Sequence, residues 1–196
     1  LINAPVDWGK LEAGAHGAGV VLNAREPLEH QEKAIAAFHE HFKSAQRGRL
    51  IMACGTGKTY TSLKIAEREV GDGGLVLFLV PSIALLAQTL NEWTTFAAKR
   101  IRPMCVCSDA EVSKKQREND YGGFSVEDLA MPASTDVATI KQQFHALDLM
   151  KAKAPGMRVV FSTYQSLPRI MEAQRELNGE VAHSFDFDLI ICDEAH

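Results

Sequence analysis

Short apolar runs alternate with amphipathic stretches along most of this chain, and the two patterns predict different elements. Continuous apolar runs predict five β-strands, at 50–52, 75–80, 104–107, 159–161 and 189–191. Apolar residues at helical spacing predict helices, which begin at Pro27 and at about 58, 81, 138 and 165. This alternation of strand and helix predicts an α/β domain with a mainly parallel sheet and helices on both faces.

Two stretches lack any such period. Residues 1–24 contain many Gly and Ala residues and predict a lead-in or linker, and residues 108–137 are polar and predict a loop for the most part. We therefore divide the chain into a lead-in, 1–24, and an α/β domain, 25–196. Because the chain starts at Leu1 and ends at His196, directly after a predicted strand, we interpret it as a segment of a longer protein whose domain is incomplete at its C-terminus.

Charge and hydropathy exclude some functions. The net charge is −4 and the isoelectric point is about 6.0, which argues against a protein that binds DNA by bulk electrostatics. Nucleic acid remains possible, since helix N-termini and backbone N–H groups also hold phosphates. A loosely basic stretch includes Lys99, Arg100 and Arg102, and we interpret it as a solvated face in preference to a DNA contact. No apolar run is long enough to span a bilayer, and the N-terminus lacks a secretory pattern.

The four cysteines lack the paired spacing of a zinc site or a disulfide framework, which favours a reducing, cytoplasmic compartment. Cys105 and Cys107 alternate along a predicted strand, so both side chains point to one face. We predict that they pack in the core.

The strongest local signal is a Gly-rich string between a predicted strand and a predicted helix: Ala53-Cys54-Gly55-Thr56-Gly57-Lys58-Thr59. Gly55 and Gly57 allow the backbone to turn tightly, so that its N–H groups surround a phosphate at the start of the helix. Lys58 is predicted to neutralise the β- and γ-phosphates of a nucleotide, and the Thr59 hydroxyl to bind Mg²⁺. Met52 stands where the strict pattern has Gly or Ala, a position that mainly ends the strand.

A second signal is the pair of carboxylates that follows the last predicted strand, Asp193-Glu194. Ligands of open α/β sheets bind at the carboxyl ends of the strands, and the Gly-rich loop leaves its own predicted strand at that edge. The two motifs are therefore predicted to converge on one nucleotide. Asp193 would hold Mg²⁺ directly or through water, and Glu194 would act as general base on the attacking water.

These motifs resemble those of superfamily-two helicases. Ala53–Thr59 is similar to their motif I, and Asp193-Glu194-Ala195-His196 spells their motif II, the DEAH box. Gln31, after His30, resembles the upstream glutamine motif, whose amide reads the adenine edge. The resemblance covers roughly residues 27–196 and implies the first RecA-like domain of an ATP-dependent motor.

Two weaker matches lie in the expected order along the chain. Val80-Pro81-Ser82 resembles motif Ia, and Ser162-Thr163-Tyr164-Gln165-Ser166-Leu167 resembles the motif Ib region. In the family these segments touch the phosphate backbone of nucleic acid, which makes Pro81, Ser82, Thr163 and Tyr164 candidate contacts. Together with the motif I string, they look most like the type III and single-chain type ISP restriction translocases.

The resemblance implies ATP and Mg²⁺ as cofactors and nucleic acid, in particular double-stranded DNA, as partner. It also implies a second RecA-like domain that supplies arginine fingers. The likeness to restriction translocases implies a restriction or anti-phage enzyme. Two other functions stay open from the residues themselves. One is a phosphate-loop ATPase that remodels proteins, and the other is a nucleotide-binding module without catalysis.

Overall fold

Four parallel strands form the sheet in the computed structural model, which describes residues 25–108, 133–153, 156–180 and 185–194. The strands are β1 (Leu75–Val80), β2 (Ile101–Val106), β3 (Met157–Thr163) and β4 (Leu189–Cys192). Their order in the sheet is β2-β3-β1-β4, and every pairing is parallel. The predicted parallel α/β architecture is therefore confirmed for these ranges.

Five α-helices accompany the strands in the described ranges: α1 (Glu29–Phe42), α2 (Lys58–Glu69), α3 (Ile83–Phe96), α4 (Val137–Lys153) and α5 (Leu167–Glu180). A short 3₁₀ turn, Tyr164–Ser166, joins β3 to α5. Each helix that the pattern predicts is present, with its ends shifted by a few residues. None of the helices in the described residues is both long and apolar enough to cross a membrane.

Helices cover both faces of the sheet because alternate strand residues point to opposite sides. On one face, Val76 and Phe78 of β1 pack with the buried side chains of α2 and α3. On the other face, Leu75 and Leu77 pack with those of α4 and α5. All six residues of β1 are buried, as the unbroken apolar run predicts for a strand covered on both sides.

The predicted strand at 50–52 is wrong. Residues 48–53 have no regular structure, and Leu50 and Ile51 are 42% and 82% exposed. A strand needs a hydrogen-bonded neighbour, and an apolar run of three residues does not supply one. Within the described residues β4 is therefore an edge strand, and its Ile190 is 54% exposed.

Other predictions fall wholly or partly outside the described residues. These are the lead-in at 1–24 and most of the loop at 108–137. In the described end of the predicted loop at 108–137, Ala133 forms an isolated β-bridge with Cys105, and α4 begins at Val137. Cys105 and Cys107 are both buried in the face that α2 and α3 cover, which confirms that they pack in the core.

The burial of the cysteines predicts a simple labelling pattern. Burial, and to a smaller extent the neighbouring Cys107 thiol, raises the pKa of Cys105 to about 12, so this thiol stays protonated and unreactive at pH 8. Cys54 and Cys192 are exposed. Iodoacetamide at pH 8 should therefore modify Cys54 and Cys192 in the folded chain and spare Cys105 and Cys107, as read by mass spectrometry. In urea all four should react; rapid modification of Cys105 in the folded chain would contradict this core.

Candidate functional site

The Gly-rich loop is a tight turn that leads directly into α2. Gly55 and Gly57 both have left-handed backbone angles, with φ of 76° and 78°. Thr56 closes the turn, because its backbone N–H and its hydroxyl both donate to the Ala53 carbonyl, at 3.4 and 2.7 Å. The loop thus has the glycine-dependent shape that the sequence predicts, and the free N–H groups at the start of α2 lie next to it.

The loop is held from one side by α1. Gln31 is 1% exposed; its Nε2 donates to the Thr56 carbonyl at 2.9 Å, and its Oε1 accepts from the Leu28 N–H at 2.9 Å. His30 Nε2 lies 3.1 Å from the same Thr56 carbonyl and, since a carbonyl only accepts, must donate to it. Gln31 therefore contacts the phosphate loop directly. At 1% exposure its amide is not open to a ligand in this conformation, so the predicted contact with adenine stays a prediction.

The start of α2 is fixed to the sheet by an aromatic side chain. Trp93 of α3 is fully buried, and its Nε1–H donates to the Thr59 carbonyl at 3.1 Å. Its ring packs edge-on against Phe78 of β1 and Phe161 of β3, with ring centroids 5.1 and 5.6 Å apart. The sequence places Trp93 in the core, but nothing in the sequence indicates that it also contacts the first turn of α2.

The acidic pair follows β4 at the carboxyl edge of the sheet. The Asp193 N–H donates to the Leu79 carbonyl at 2.9 Å, which extends the ladder between β4 and β1 by one residue. Glu194 then adopts a left-handed conformation with φ of 51°. Its N–H donates to Asp193 Oδ1 at 3.1 Å, and its side chain is exposed. Ala195 and His196, the rest of the predicted DEAH box, lie outside the described residues.

The topology brings the loop and the acidic pair to the same edge. Helix α2 ends next to the glycine turn that starts β1, so it runs towards the amino edge and begins at the carboxyl edge. Helix α2 also contacts β4. Lys58, exposed at the first position of α2, and Asp193, at the end of β4, therefore both lie on the carboxyl side of the sheet. This edge carries a cation, a hydroxyl and two carboxylates, the groups that the chemistry of a metal-bound triphosphate needs.

The two candidate nucleic-acid segments lie next to each other, since they follow the neighbouring strands β1 and β3. Ser82, after Pro81, caps α3 by accepting from the Leu85 N–H at 3.3 Å. The Thr163 side chain is buried, and its hydroxyl lies 3.0 Å from the Ser166 hydroxyl, so it supports the turn after β3. The Tyr164 hydroxyl donates to the Asp193 carbonyl at 2.7 Å, a contact that sequence patterns do not predict across 29 positions.

The basic stretch lies elsewhere. Arg100 and Arg102 flank the start of β2, and the Arg100 carbonyl accepts from the Met157 N–H at the start of β3. Lys99 donates to the Glu67 carbonyl. The described part of this stretch is therefore at the amino edge, opposite both motifs, which agrees with the preference for a solvated face.

The comparisons with known proteins decide the family. The family model described as "Type III restriction enzyme, res subunit" (ResIII) matches residues 25–196. The chain belongs to this family. The predicted resemblance to restriction-type superfamily-two enzymes is confirmed.

Solved structures of type ISP restriction-modification enzymes are similar to this ResIII domain. A nuclease-deletion mutant of LlaGI, solved in complex with a DNA substrate mimic, is 42% identical with a TM-score of 0.70, covering 88% of this chain and 15% of that one. LlaBIII, described as ATP-dependent and bound to DNA, is 37% identical with a TM-score of 0.69, covering 86% and 10%. These similarities confirm the predicted RecA-like fold class.

A curated relative comes from a virus. The "Probable helicase A859L" of African swine fever virus (isolate Tick/South Africa/Pretoriuskop Pr4/1996) is 27% identical over 173 residues. The match covers 88% of this chain and 16% of the relative. This ResIII chain thus spans 16% of the viral relative and 15% and 10% of the two type ISP enzymes.

Gly57 offers a direct test of the loop geometry. A Cβ at this position would lie 2.5 Å from Gln31 Nε2, and its φ is left-handed. Gly57→Ala should therefore lower the free energy of unfolding by about 1–2 kcal/mol from the backbone alone, and by more once Gln31 is displaced. Urea unfolding measures the change.

Two matched variants separate these effects. Gly55→Ala has the same left-handed penalty with nothing within 4 Å of its Cβ, so it should destabilise less than Gly57→Ala. Gly179 lies in α5 with open space around its Cβ, and Gly179→Ala should stabilise by about 0.5–1 kcal/mol. Equal effects at Gly55 and Gly57 would contradict the packing of Gln31 against the loop.

Proposed function

We propose that this ResIII domain is the ATP-binding portion of an ATP-dependent DNA translocase that belongs to a restriction or anti-phage enzyme. The observation that carries the proposal is the arrangement at the carboxyl edge, where the glycine turn before α2 and the acidic pair after β4 lie on one side of a parallel sheet. The family match and the DNA-bound type ISP structures support it.

Each residue has a defined chemical role in this proposal. The backbone of Ala53–Gly57 surrounds the phosphates, and Lys58 neutralises charge on the β- and γ-phosphates. Glu194 accepts a proton from the attacking water, a role that its exposed carboxylate at the sheet edge permits. Gln31 would read the adenine edge with its amide, which this structure holds against the phosphate loop.

The residues present also fit a magnesium ion. The Thr59 hydroxyl and the Asp193 carboxylate are oxygen ligands of the kind that Mg²⁺ prefers, and both lie at the carboxyl edge. When bound, Mg²⁺ neutralises negative charge on the triphosphate. The Thr59 hydroxyl would bind the ion directly, and Asp193 would hold it directly or through water.

DNA is the proposed partner. The turns after β1 and β3, with Pro81, Ser82, Thr163 and Tyr164, form adjacent parts of the same edge and would contact the phosphate backbone of double-stranded DNA. Because Thr163 is buried, its contact would come from the main chain. We place the enzyme in the cytoplasm, where exposed thiols such as Cys54 stay reduced.

A second RecA-like domain of the same enzyme is the other proposed partner. It would supply the arginine fingers that stabilise the transition state, and would close the site over the nucleotide. The isolated 196-residue chain should therefore bind ATP weakly and hydrolyse it poorly. DNA-stimulated turnover by the isolated chain at the rate of the full-length enzyme would contradict this dependence.

Two substitutions in the full-length enzyme test the assignment of roles. Lys58→Ala should abolish both tight ATP binding and hydrolysis, because it removes the cation next to the phosphates. Glu194→Gln should lower the DNA-stimulated rate by about 10²- to 10⁴-fold, since it removes the general base, yet keep ATP binding. Steady-state hydrolysis and fluorescent-nucleotide binding separate the two outcomes.

Matched exposed variants serve as controls. Lys33 on α1 and Glu172 on α5 are exposed and form surface ion pairs with Glu29 and Arg169. Lys33→Ala and Glu172→Gln make the same changes of residue type away from the site and should leave turnover unchanged. Activity that survives both Lys58→Ala and Glu194→Gln would show that this edge is not catalytic and would favour a binding module. ATPase stimulated by protein clients but not by DNA would favour a remodelling enzyme.

A further inference from the structure

Tyr164 joins two strand ends that the sheet itself does not join. Its hydroxyl donates to the Asp193 main-chain carbonyl at 2.7 Å. Tyr164 follows β3 and Asp193 follows β4, and β1 lies between these strands in the sheet. With strands spaced roughly 4.8 Å apart, the tyrosine spans about two strand spacings across the carboxyl edge.

The accepting carbonyl belongs to the peptide group that links Asp193 to Glu194. The N–H of Asp193 is already fixed by the Leu79 carbonyl, so the hydrogen bond from Tyr164 fixes the next peptide plane. That plane sets the direction of Glu194, whose left-handed φ of 51° is unfavourable for a residue with a Cβ. The Tyr164 hydroxyl therefore helps to hold Glu194 in the conformation seen.

The turn that carries Tyr164 is held together by buried side chains. Thr163 and Ser166 are buried, and their hydroxyls lie 3.0 Å apart. Tyr164 therefore connects a packed turn to the Asp193–Glu194 peptide.

We propose that Tyr164 is a positioning residue that couples contact of DNA with the turn after β3 to the orientation of Glu194. This inference rests on the proposed function and deepens it. DNA bound at Thr163 and Tyr164 holds the turn in place, and the tyrosine hydroxyl then orients the general base for hydrolysis. Tyr164 itself touches neither ATP nor the attacking water.

Tyr164→Phe in the full-length enzyme removes only the hydroxyl. The DNA-stimulated kcat for ATP hydrolysis should fall about 3- to 10-fold, the range expected for one lost hydrogen bond. The KM for ATP should stay within about 2-fold of the wild-type value, and the rates are compared at saturating DNA because Tyr164 is itself a proposed DNA contact. The ratio of stimulated to basal turnover should also fall, because DNA bound at the turn can then no longer act on Glu194 through the hydroxyl.

Tyr60→Phe is the matched control. Tyr60 lies on α2, and its hydroxyl also donates to a main-chain carbonyl, that of Arg25. Among the described residues, this hydrogen bond does not involve Asp193 or Glu194. Both variants lose one hydrogen bond, so both should lower Tm slightly. Only Tyr164→Phe should lower the stimulation ratio.

The outcomes separate this inference from the function on which it rests. An unchanged stimulation ratio in Tyr164→Phe, an equal fall in Tyr60→Phe, or a Tyr164→Phe enzyme that does not fold would overturn the coupling and leave the ATPase proposal intact. A wild-type enzyme whose ATP turnover does not respond to DNA would overturn both.

Discussion

Parallel pairing of β1 with both of its neighbours is the constraint on which the candidate site depends. Because β3 and β4 run parallel to β1, all three strands end at one edge, and the turns that follow them lie side by side. Asp188 fixes β4 in register, since its side chain and its N–H both pair with the main chain of Leu75, at 2.7 and 2.9 Å. A shift of β4 by one residue would move Asp193 away from this edge and turn its side chain to the other face.

The phosphate loop is positioned by neighbours as well as by its glycines. Gln31 holds it from α1, and Trp93 holds the first turn of α2 from α3. Both residues are almost fully buried, and both use side-chain N–H groups to satisfy main-chain carbonyls near a helix start. The loop therefore keeps its shape through contacts to two helices, while Lys58 stays exposed to solvent. Such preorganisation reduces the entropy that nucleotide binding must overcome.

The elements that local pattern determines could be predicted from the sequence. The buried run of β1, the helices and the glycine turn all follow from spacing and residue type, and the structure contains them. The wrong prediction of a strand at 50–52 has a physical reason. An apolar run becomes a strand only beside a hydrogen-bonded partner, and the local sequence does not specify that partner. The contacts of Trp93 with Thr59 and of Tyr164 with Asp193 join residues 34 and 29 positions apart, and only the packing of the whole sheet brings them together.

In the proposed site, Lys58, Thr59 and Asp193 hold one metal-bound triphosphate. A crystal structure of the full-length enzyme with a non-hydrolysable ATP analogue and Mn²⁺ in place of Mg²⁺ tests it most directly, because anomalous scattering locates the metal. We predict the metal at direct coordination distance from the Thr59 hydroxyl, and bound to Asp193 directly or through one water, with Lys58 Nζ hydrogen-bonded to the β- or γ-phosphate. A metal that lies away from Asp193, or a triphosphate that Lys58 does not reach, would contradict the account.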